Sequence, residues 1–327
     1  MKKISICITY YNQKEFVKQS LDSVLSIDYP CDFEILCGDD GSTDGTLDVV
    51  KEYAQEYPNN IKYFVMDRDN SPKSINRASL NRLNLAKNAN GDYIMFLDGD
   101  DFYCDVTFVK EALQVFEKNE KVEVCAFNFE YLHPDNTVEI YNQKMTVGLI
   151  DNKKYISTGA YTPSGACIFK NILNEERFEL LEKINNFDDN AITIYFLQFG
   201  DLYYFDKSIY VYRQTNNSLW NSVNNIEQDL LNAFDYKLIC DSAPLFKKEI
   251  AKRQYGAIRK VYKNRKNLQK QLGENFERYL TIAQKNNDNF MEDVLRWNNS
   301  KYIKKIKIVI RWYMFKQFAN TNKTRTV

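Results

Sequence analysis

The first hundred residues alternate short apolar runs with amphipathic stretches. The apolar runs are six to eight residues long and rich in β-branched and aromatic residues, whereas the stretches between them repeat their apolar residues at helical spacing. A repeated β-α-β-α order predicts an α/β fold with a mostly parallel sheet flanked by helices. The predicted strands cover residues 3–10, 32–38, 60–66 and 92–97, and the predicted helices cover residues 14–27, 46–57 and a stretch that ends near residue 89.

The alternation loosens in the second part of the chain. Residues 123–141 are predicted to form two strands around the turn "HPDN", which adds an antiparallel edge to the sheet. Residues 188–200 are predicted to form a helix that ends at a glycine, and residues 202–214 a final pair of strands. From about residue 224 the sequence becomes helical and basic, which indicates a separate part of the fold.

This change of character predicts two domains. The larger covers residues 1–223, with halves of about 1–104 and 105–223, and a helical basic extension covers residues 224–327. Within the extension, Lys301–Phe318 mixes cations with large apolar side chains. We expect this segment to lie in a membrane interface with its charges near anionic headgroups. The alternative is a helix that packs on the rest of the protein or on a partner subunit.

Charge is divided unevenly along the chain. Overall, 44 Lys and Arg balance 44 Asp and Glu, yet residues 241–327 carry a net charge of +14 and the remainder one of −14. A basic tail indicates an anionic surface as partner, whereas an acidic body argues against nucleic acid as the substrate. The charge pattern therefore predicts a membrane surface as the partner of the tail.

The cysteines and the lack of long apolar runs bear on location. Seven cysteines are scattered without a C-x-x-C pair, which is typical of buried thiols in a reducing compartment. No run approaches the roughly 18 to 20 apolar residues that a membrane-spanning helix needs. We expect a cytoplasmic protein, with peripheral contact at the inner face of the membrane.

Three carboxylates follow the strand predicted at residues 92–97. In an extended segment, Asp98 and Asp100 point to the same side while Asp101 faces elsewhere, as a supporting or turn residue. Two converging carboxylates repel each other unless a proton or cation lies between them, and Mg²⁺ or Mn²⁺ prefers such oxygen ligands. The sequence therefore predicts a divalent metal at Asp98 and Asp100, with an ordinary acidic turn as the alternative.

A second acidic pair, Asp39 and Asp40, ends the strand at residues 32–38. Gly41 and the polar residues after it are explained by a tight turn into a helix, but the adjacent charges are not. A carboxylate at this edge can accept hydrogen bonds from a nucleobase N–H or a ribose hydroxyl.

A third pair, Asp188 and Asp189, stands at the start of a predicted helix. One reading is structural, because a carboxylate there caps free N–H groups and complements the helix dipole. The other is a general base, which requires burial to offset the lowering of its pKa by the helix terminus.

Together, these segments resemble family 2 glycosyltransferases of the GT-A fold. They occur in the order and spacing of that family over about residues 3–221. The segments are "ISICITYYNQKEFVKQSLDSVL", "FEILCGDDGSTDGT", "NANGDYIMFLDGDD", "FDDNAITIYFL" and "SIYVYRQTNNSLW".

The resemblance implies a donor site in the first half of the larger domain and an acceptor site in the second. It implies that Asp98 and Asp100 hold a metal, Mn²⁺ or Mg²⁺, and the diphosphate of a nucleotide sugar. The other implied donor contacts are Thr9 and Tyr11 around the nucleotide, Asp40 on the base, expected to be uracil, Arg82 in the pocket, and Arg213 near the diphosphate or a closing loop.

The same resemblance implies the chemistry. Asp189 matches the catalytic base of the family's "E-D" motif, and Asp188 stands where Glu is commoner. The implied reaction is the inverting transfer of one sugar from a UDP-sugar to a cell-surface glycan or a lipid-linked precursor. Single addition is expected because the Q-x-x-R-W motif of processive synthases is absent. "NRL" replaces the family's "A-R-N", which keeps Arg82 and puts Leu83 in place of Asn.

Two other classes remain open at this point. A nucleotidylyltransferase also combines an α/β sheet with a carboxylate-held metal, but it usually needs a Gly-rich phosphate loop, and "TYYNQKEF" contains no glycine. The second alternative is a sugar-nucleotide-binding protein without transferase activity.

Overall fold

The computed structural model describes most of the chain. Its described residues form two compact units, one that extends to residue 215 and one that begins at residue 224. The domain boundaries expected from the sequence stay predictions. The described residues are 2–68, 77–141, 145–215, 224–286 and 288–296, together with Lys305, Ile308, Val309, Arg311 and Trp312.

The first unit contains ten strands and seven α-helices among its described residues. Its strands are β1 (Lys3–Tyr10), β2 (Asp32–Asp39), β3 (Ile61–Val65), β4 (Tyr93–Asp98), β5 (Phe102–Tyr103), β6 (Val122–Leu132), β7 (Val138–Ile140), β8 (Gly148–Ile150), β9 (Cys167–Lys170) and β10 (Asp201–Arg213). Its helices are α1 (Lys14–Leu25), α2 (Thr46–Glu56), α3 (Arg77–Asn88), α4 (Phe108–Lys118), α5 (Asn152–Thr158), α6 (Glu175–Ile184) and α7 (Asp189–Phe196). A 3₁₀ turn over Ser164–Ala166 precedes β9.

All ten strands join one mixed sheet. Its order is β3-β2-β1-β4-β9-β6-β10-β5, with β7 beside β6 and β8 beside β10. The four longest ladders, β1 with β2, β1 with β4, β2 with β3 and β6 with β10, are all parallel. Strand β9 runs antiparallel to both β4 and β6 and joins the two parallel parts. The predicted α/β architecture, with a mostly parallel sheet flanked by helices, is confirmed.

The central strands are buried on both faces, as parallel strands covered by helices must be. In β1 every residue after Lys3 is buried, and in β4 every residue before Asp98 is. A strand of this kind is a nearly continuous apolar run, which is why the sequence marks it clearly. The acidic side chain at the carboxyl end of β4, Asp98, comes where the strand leaves the core.

The second half of the sheet differs from the prediction in one respect. Residues 202–214 do not form a pair of strands, because β10 is a single strand of 13 residues. Its register against β6 shifts between Phe205 and Ser208, so the chain bulges there and continues. The predicted pairing around "HPDN" is confirmed, since Val138 in β7 lies opposite Leu132 in β6 in an antiparallel ladder.

The second unit is helical in its described residues. Asn224 and Glu227 form a capping box at the start of its first helix. Trp312 stacks on Tyr255 and Tyr262, with ring centroids 5.1 and 4.6 Å away. The helices are α8 (Asn225–Ser242), α9 (Lys247–Lys263), α10 (Leu268–Leu272), α11 (Phe276–Lys285) and α12 (Asn289–Leu295), with 3₁₀ turns over Pro244–Phe246 and Gly273–Asn275.

The expected membrane segment, Lys301–Phe318, lies mostly outside the described residues. Of the five residues described there, Ile308 is fully buried in the core of the helical unit and Arg311 pairs with Asp293 at 3.2 Å. Among the helices that the structure describes, none has the length and apolarity needed to cross a bilayer.

Candidate active site

The carboxyl ends of β1 and β4 bring Thr9 and Asp98 together. The parallel register sets Thr9 directly beside Asp98, and the Thr9 hydroxyl donates to Oδ1 of Asp98 at 3.2 Å. The backbone N–H of Gly99 donates to the carbonyl of Thr9 at 2.9 Å. A Cβ at Gly99 would lie 2.1 Å from the ring of Tyr10, so the chain passes this point only because the residue is glycine.

Asp98 and Asp100 are neighbours across a turn and not along a strand. Strand β4 ends at Asp98, and the N–H of Asp101 donates back to the Asp98 carbonyl at 2.9 Å. The period-two argument for their convergence was therefore wrong, although the two carboxylates do lie close enough to interact. Burial, followed by the negative charge of Asp98, raises the pKa of Asp100 to about 6.

Asp101 is an internal anchor for β10. Its carboxylate is 2% exposed and accepts hydrogen bonds from the Tyr210 hydroxyl and, at 2.7 Å, from the N–H of Arg213. Burial, with the charges of Asp100 and Asp98, holds the pKa of Asp101 well above its usual range. The expectation of a supporting residue agrees with these contacts.

Arg213 lies against the same turn. Its Nε donates to the carbonyl of Asp100 at 2.8 Å, and its Nη2 donates to Oε1 of Gln19 at 2.6 Å. The guanidinium also lies 4.7 Å from the ring centre of Phe16. These contacts hold the end of β10 beside Asp100.

Asp40 is buried and paired with two arginines. Both Arg68 and Arg77 contact its carboxylate, with Arg77 Nε donating to Oδ1 at 2.7 Å. The guanidinium of Arg68 also lies 3.8 Å from the ring centre of Tyr11. The sequence analysis missed both arginines, since no motif marks them and Arg77 lies 37 residues from its partner. The neighbouring Asp39 has a local role, because its Oδ2 accepts from the N–H of Ser42 at 2.9 Å.

One buried arginine joins the carboxyl end of β4 to the start of α7. Arg82 is 3% exposed, and its guanidinium donates to both Asp98 and Asp188. Burial alone would lower the pKa of Arg82, but the charges of Asp188, Asp98 and Asp189 raise it above its ordinary value. Arg82 is therefore permanently charged and serves as the counter-ion of both ends of the site.

Asp189 lies under a set of hydrogen-bond donors. Its Oδ1 accepts from the N–H and the hydroxyl of Ser164, at 3.3 and 3.2 Å, and its Oδ2 accepts from the Tyr161 hydroxyl at 3.3 Å. Its φ of +26° is rare for a residue with a side chain, and such strain is often stored at functional sites. Burial, then the charges of Asp188 and Asp98, raises its pKa to about 6, with Arg82 opposing.

The capping interpretation of the third acidic pair was wrong. Asp188 occupies the N-cap position of α7, but its side chain makes no capping hydrogen bond and pairs with Arg82 instead. The Ser164 contact was also not foreseen, because Ser164 opens a short 3₁₀ turn 25 residues from Asp189.

The carboxylate oxygens of Asp98 and Asp100 fit a hard divalent ion whose remaining ligands come from outside the protein. In the parts of the chain that the structure describes, no three His, Cys, Asp or Glu side chains gather into a full metal site. Burial and then the negative charge of Asp98 raise the pKa of Asp100, and a cation between the two carboxylates would relieve their repulsion. Such a pair suits Mg²⁺ or Mn²⁺ with the remaining ligands from diphosphate and water.

The sequence profile described as "Glycosyl transferase family 2" matches residues 5–177. The chain belongs to this family. The match covers more than half of the chain and includes β2 and β4 with their acidic carboxyl ends, most of β1, and β6 and β9. Family 2 membership argues against a nucleotidylyltransferase.

Relatives of this family 2 glycosyltransferase act on different molecules. The poly(ribitol-phosphate) beta-glucosyltransferase of Bacillus spizizenii is 36% identical over 101 residues, which are 31% of this chain and 15% of that protein. A dolichyl N-acetyl-alpha-D-glucosaminyl phosphate 3-beta-D-2,3-diacetamido-2,3-dideoxy-beta-D-glucuronosyltransferase of Methanococcus voltae is 31% identical over 125 residues, which are 38% of this chain and 36% of that protein. Both alignments span well under two thirds of the relatives.

A solved structure resembles nearly the whole chain. Residues 1–349 of S. aureus TarS, determined in complex with UDP-GlcNAc, have a TM-score of 0.61 at 15% identity, with 99% of this chain and 93% of that one covered. At this identity the likeness concerns the fold, and the predicted GT-A architecture is confirmed.

Proposed function

We propose that the protein is an inverting, metal-dependent glycosyltransferase that adds one sugar from a UDP-sugar to a hydroxyl of a cell-surface glycan or of its lipid-linked precursor. The observation that carries this proposal is the double contact of Arg82. One buried guanidinium links Asp98, the donor-side carboxylate, to Asp188, the neighbour of the general-base candidate Asp189. Arg82 therefore contacts both a carboxylate assigned to the sugar donor and the neighbour of the carboxylate assigned to the acceptor hydroxyl.

The donor side is assigned to the carboxyl ends of β1, β2 and β4. Thr9 and Tyr11 line the nucleotide, and Asp40, oriented by Arg68 and Arg77, accepts a hydrogen bond from the base. Arg82 and Arg213 bring positive charge to the diphosphate side of the pocket. A nucleotide donor is supported by TarS, which was solved with UDP-GlcNAc.

Asp98 and Asp100 would hold the metal. When bound, a divalent ion supplies Lewis-acid stabilisation of the charge that builds up on the leaving diphosphate. The chain's own part is to keep the two carboxylates close, through the turn between them and through the Thr9 and Arg82 contacts to Asp98.

Asp189 is assigned as the base. It takes the proton of the acceptor hydroxyl. With its pKa raised to about 6, Asp189 is a stronger base than an ordinary Asp, and it is still ionised at neutral pH. Attack by that hydroxyl on the face opposite the leaving diphosphate inverts the anomeric centre. Ser164 and Tyr161 hold the carboxylate in position.

A donor panel tests this proposal. The full chain is incubated with Mn²⁺, UDP-, GDP- and dTDP-sugars and a mixture of glycosides, and the release of nucleoside diphosphate is measured. We expect turnover of a UDP-sugar. Asp189→Asn should lower transfer at least about 100-fold, with donor affinity measured by calorimetry nearly unchanged.

Asp188→Asn is the matched variant, because it removes the same charge one residue away. If it abolishes transfer while Asp189→Asn does not, the base is Asp188. Binding of UDP-sugars with no transfer or hydrolysis by the wild-type protein would favour the binding-protein alternative. Failure to bind any donor would overturn the proposed donor site.

We also propose a cytoplasmic protein that contacts the inner face of the membrane through Lys301–Phe318. Sedimentation with vesicles of anionic or neutral lipid tests this contact, and replacement of the lysines of this segment by Gln should abolish binding to the anionic vesicles. Equal sedimentation with both lipids, or none with either, would contradict the proposal.

A further inference from the structure

Aromatic side chains cover one face of the β6 and β10 ladder near Asp189. In the parallel register, Phe129 lies beside Tyr210 and Tyr131 beside Tyr212. Phe129 and Tyr210 are buried, whereas Tyr131 and Tyr212 are partly exposed. The first pair therefore forms a floor, and the second pair reaches the surface above it. The partly exposed aromatic residues of this face, here called the tyrosine rim, are Tyr131, Tyr141, Tyr161 and Tyr212.

The rim rings are held in fixed orientations by one another. Tyr131 meets Tyr212 edge to face, with centroids 5.8 Å apart and planes at 83°, and it meets Tyr141 in the same way at 6.0 Å. Tyr141 in turn stacks on Phe129 at 4.6 Å, and Tyr161 meets Phe129 at 82°. Such contacts pre-organise the rings, so the side chains lose little conformational entropy when a ligand binds.

One tyrosine of the rim contacts the proposed base, and the charge of that base reaches two others. The Tyr161 hydroxyl donates to Asp189 at 3.3 Å. Burial, and then the charge of Asp189, raises the pKa of Tyr212, and the same charge also contributes for Tyr131. Tyr131, Tyr161 and Tyr212 are neutral at physiological pH. They present ring carbons together with hydroxyl groups that donate and accept hydrogen bonds.

The electrostatics of this region disfavour an anion. The charge of the Asp189 carboxylate acts on the hydroxyls of Tyr131, Tyr161 and Tyr212. The cation that acts on Asp189 is Arg82, and its guanidinium is shared with Asp98 and Asp188. A phosphate placed against Asp189 would meet a like charge, whereas the C–H face of a sugar ring suits the electron-rich face of an aromatic ring.

We infer that the tyrosine rim is the acceptor subsite and that it binds a neutral pyranose ring, with one of its hydroxyls directed at Asp189. The sugar ring packs against the face of one of the rings of Tyr131 and Tyr212 and against the edge of the other, because their planes stand at 83°. This inference rests on the proposed transferase function and adds the class of acceptor, a neutral sugar ring and not a polyol phosphate.

Acceptor kinetics test the inference. The probes are neutral octyl pyranosides on one side and ribitol 5-phosphate with its polymer on the other, each with the UDP-sugar that the enzyme turns over. We expect transfer to at least one pyranoside and none to the ribitol phosphates. Tyr131→Ala and Tyr212→Ala should each raise the KM for the pyranoside by about tenfold and leave the KM for the donor unchanged. Tyr63→Ala is the control, because Tyr63 is 43% exposed on β3 at the far edge of the sheet.

Binding without turnover provides a second readout. In the Asp189→Asn variant with UDP and Mg²⁺, saturation transfer by NMR should reach the ring protons of methyl pyranosides and disappear when Tyr131→Ala is added. Transfer to ribitol phosphate but to no pyranoside would overturn the inference, and so would equal increases in donor and acceptor KM. Loss of all donor turnover in the wild type, with water as acceptor included, would instead overturn the proposed function. The melting temperature of each variant shows whether it is folded.

Discussion

The Tyr210 hydroxyl donates a hydrogen bond to the Asp101 carboxylate, and both side chains are almost fully buried. Removing the hydroxyl leaves a buried carboxylate oxygen without this donor. Tyr210→Phe should therefore lower the free energy of unfolding by about 1–3 kcal/mol. Urea denaturation followed by circular dichroism measures this change.

Tyr103→Phe is the matched control for that measurement. Its ring lies 6.3 Å from that of Tyr210 and is also buried, but among the described groups its hydroxyl has no hydrogen-bond partner. Losing an unpartnered buried hydroxyl should leave stability unchanged or raise it slightly. Equal losses in the two variants would show that the Tyr210 contact has no special role.

Arg82→Gln should destabilise the protein moderately and impair transfer strongly. The variant leaves Asp98 and Asp188 without their shared cation, but these side chains are 30% and 51% exposed, so water compensates in part. We expect a loss of about 1–2 kcal/mol in the free energy of unfolding. A loss of transfer no greater than that of Asp188→Asn would contradict the bridging role of Arg82.

The pH dependence of transfer should report the ionisation of Asp189. Its pKa is raised to about 6, and a base must be deprotonated to act, so kcat/KM for the acceptor should fall as the pH drops through about 6. Above that value the rate should level off. A rate that stays constant down to about pH 5 would argue that another group is the base, and donor affinity measured over the same range controls for effects on binding.

Metal binding should depend on both carboxylates of the turn after β4. Asp98→Asn and Asp100→Asn should each weaken Mn²⁺ binding at least about tenfold in the presence of UDP, as measured by the electron paramagnetic resonance signal of free Mn²⁺. Asp48→Asn, on the exposed side of α2, is the control for a change of net charge. Unchanged Mn²⁺ affinity in both turn variants would show that the metal does not bind at Asp98 and Asp100.

The sequence predicts the first half of the sheet well because its signals are local. Strands β1 to β4 lie within two residues of their predicted bounds, since each is a buried apolar run that ends in turn residues. The sequence predicts two strands where β10 is one, because the contact that keeps β10 continuous is not local. Asp206 and Ser208 suggest a turn locally, but pairing with β6 continues past them, and that pairing is a long-range contact.

The candidate site shows the same division. Its carboxylates stand out in the sequence because acidic residues at strand ends are conspicuous. Their partners do not, since Arg77, Ser164 and Tyr210 lie 37, 25 and 109 residues from Asp40, Asp189 and Asp101, respectively. Spacing arguments also assume one backbone geometry, and the turn after Asp98 is where that assumption failed.

The antiparallel strand β9 separates the two parallel parts of the sheet. Most of the residues assigned to the donor lie at or just after the carboxyl ends of β1, β2 and β4, whereas Tyr131 and Tyr212 of the tyrosine rim lie on β6 and β10. Substitutions at Tyr131 or Tyr212 therefore leave the ladders among β1, β2 and β4 untouched. After gene duplication, one copy of the enzyme can therefore gain a new acceptor preference through substitutions in this part of the sheet and keep the sugar nucleotide of its ancestor. Directed evolution can follow the same route.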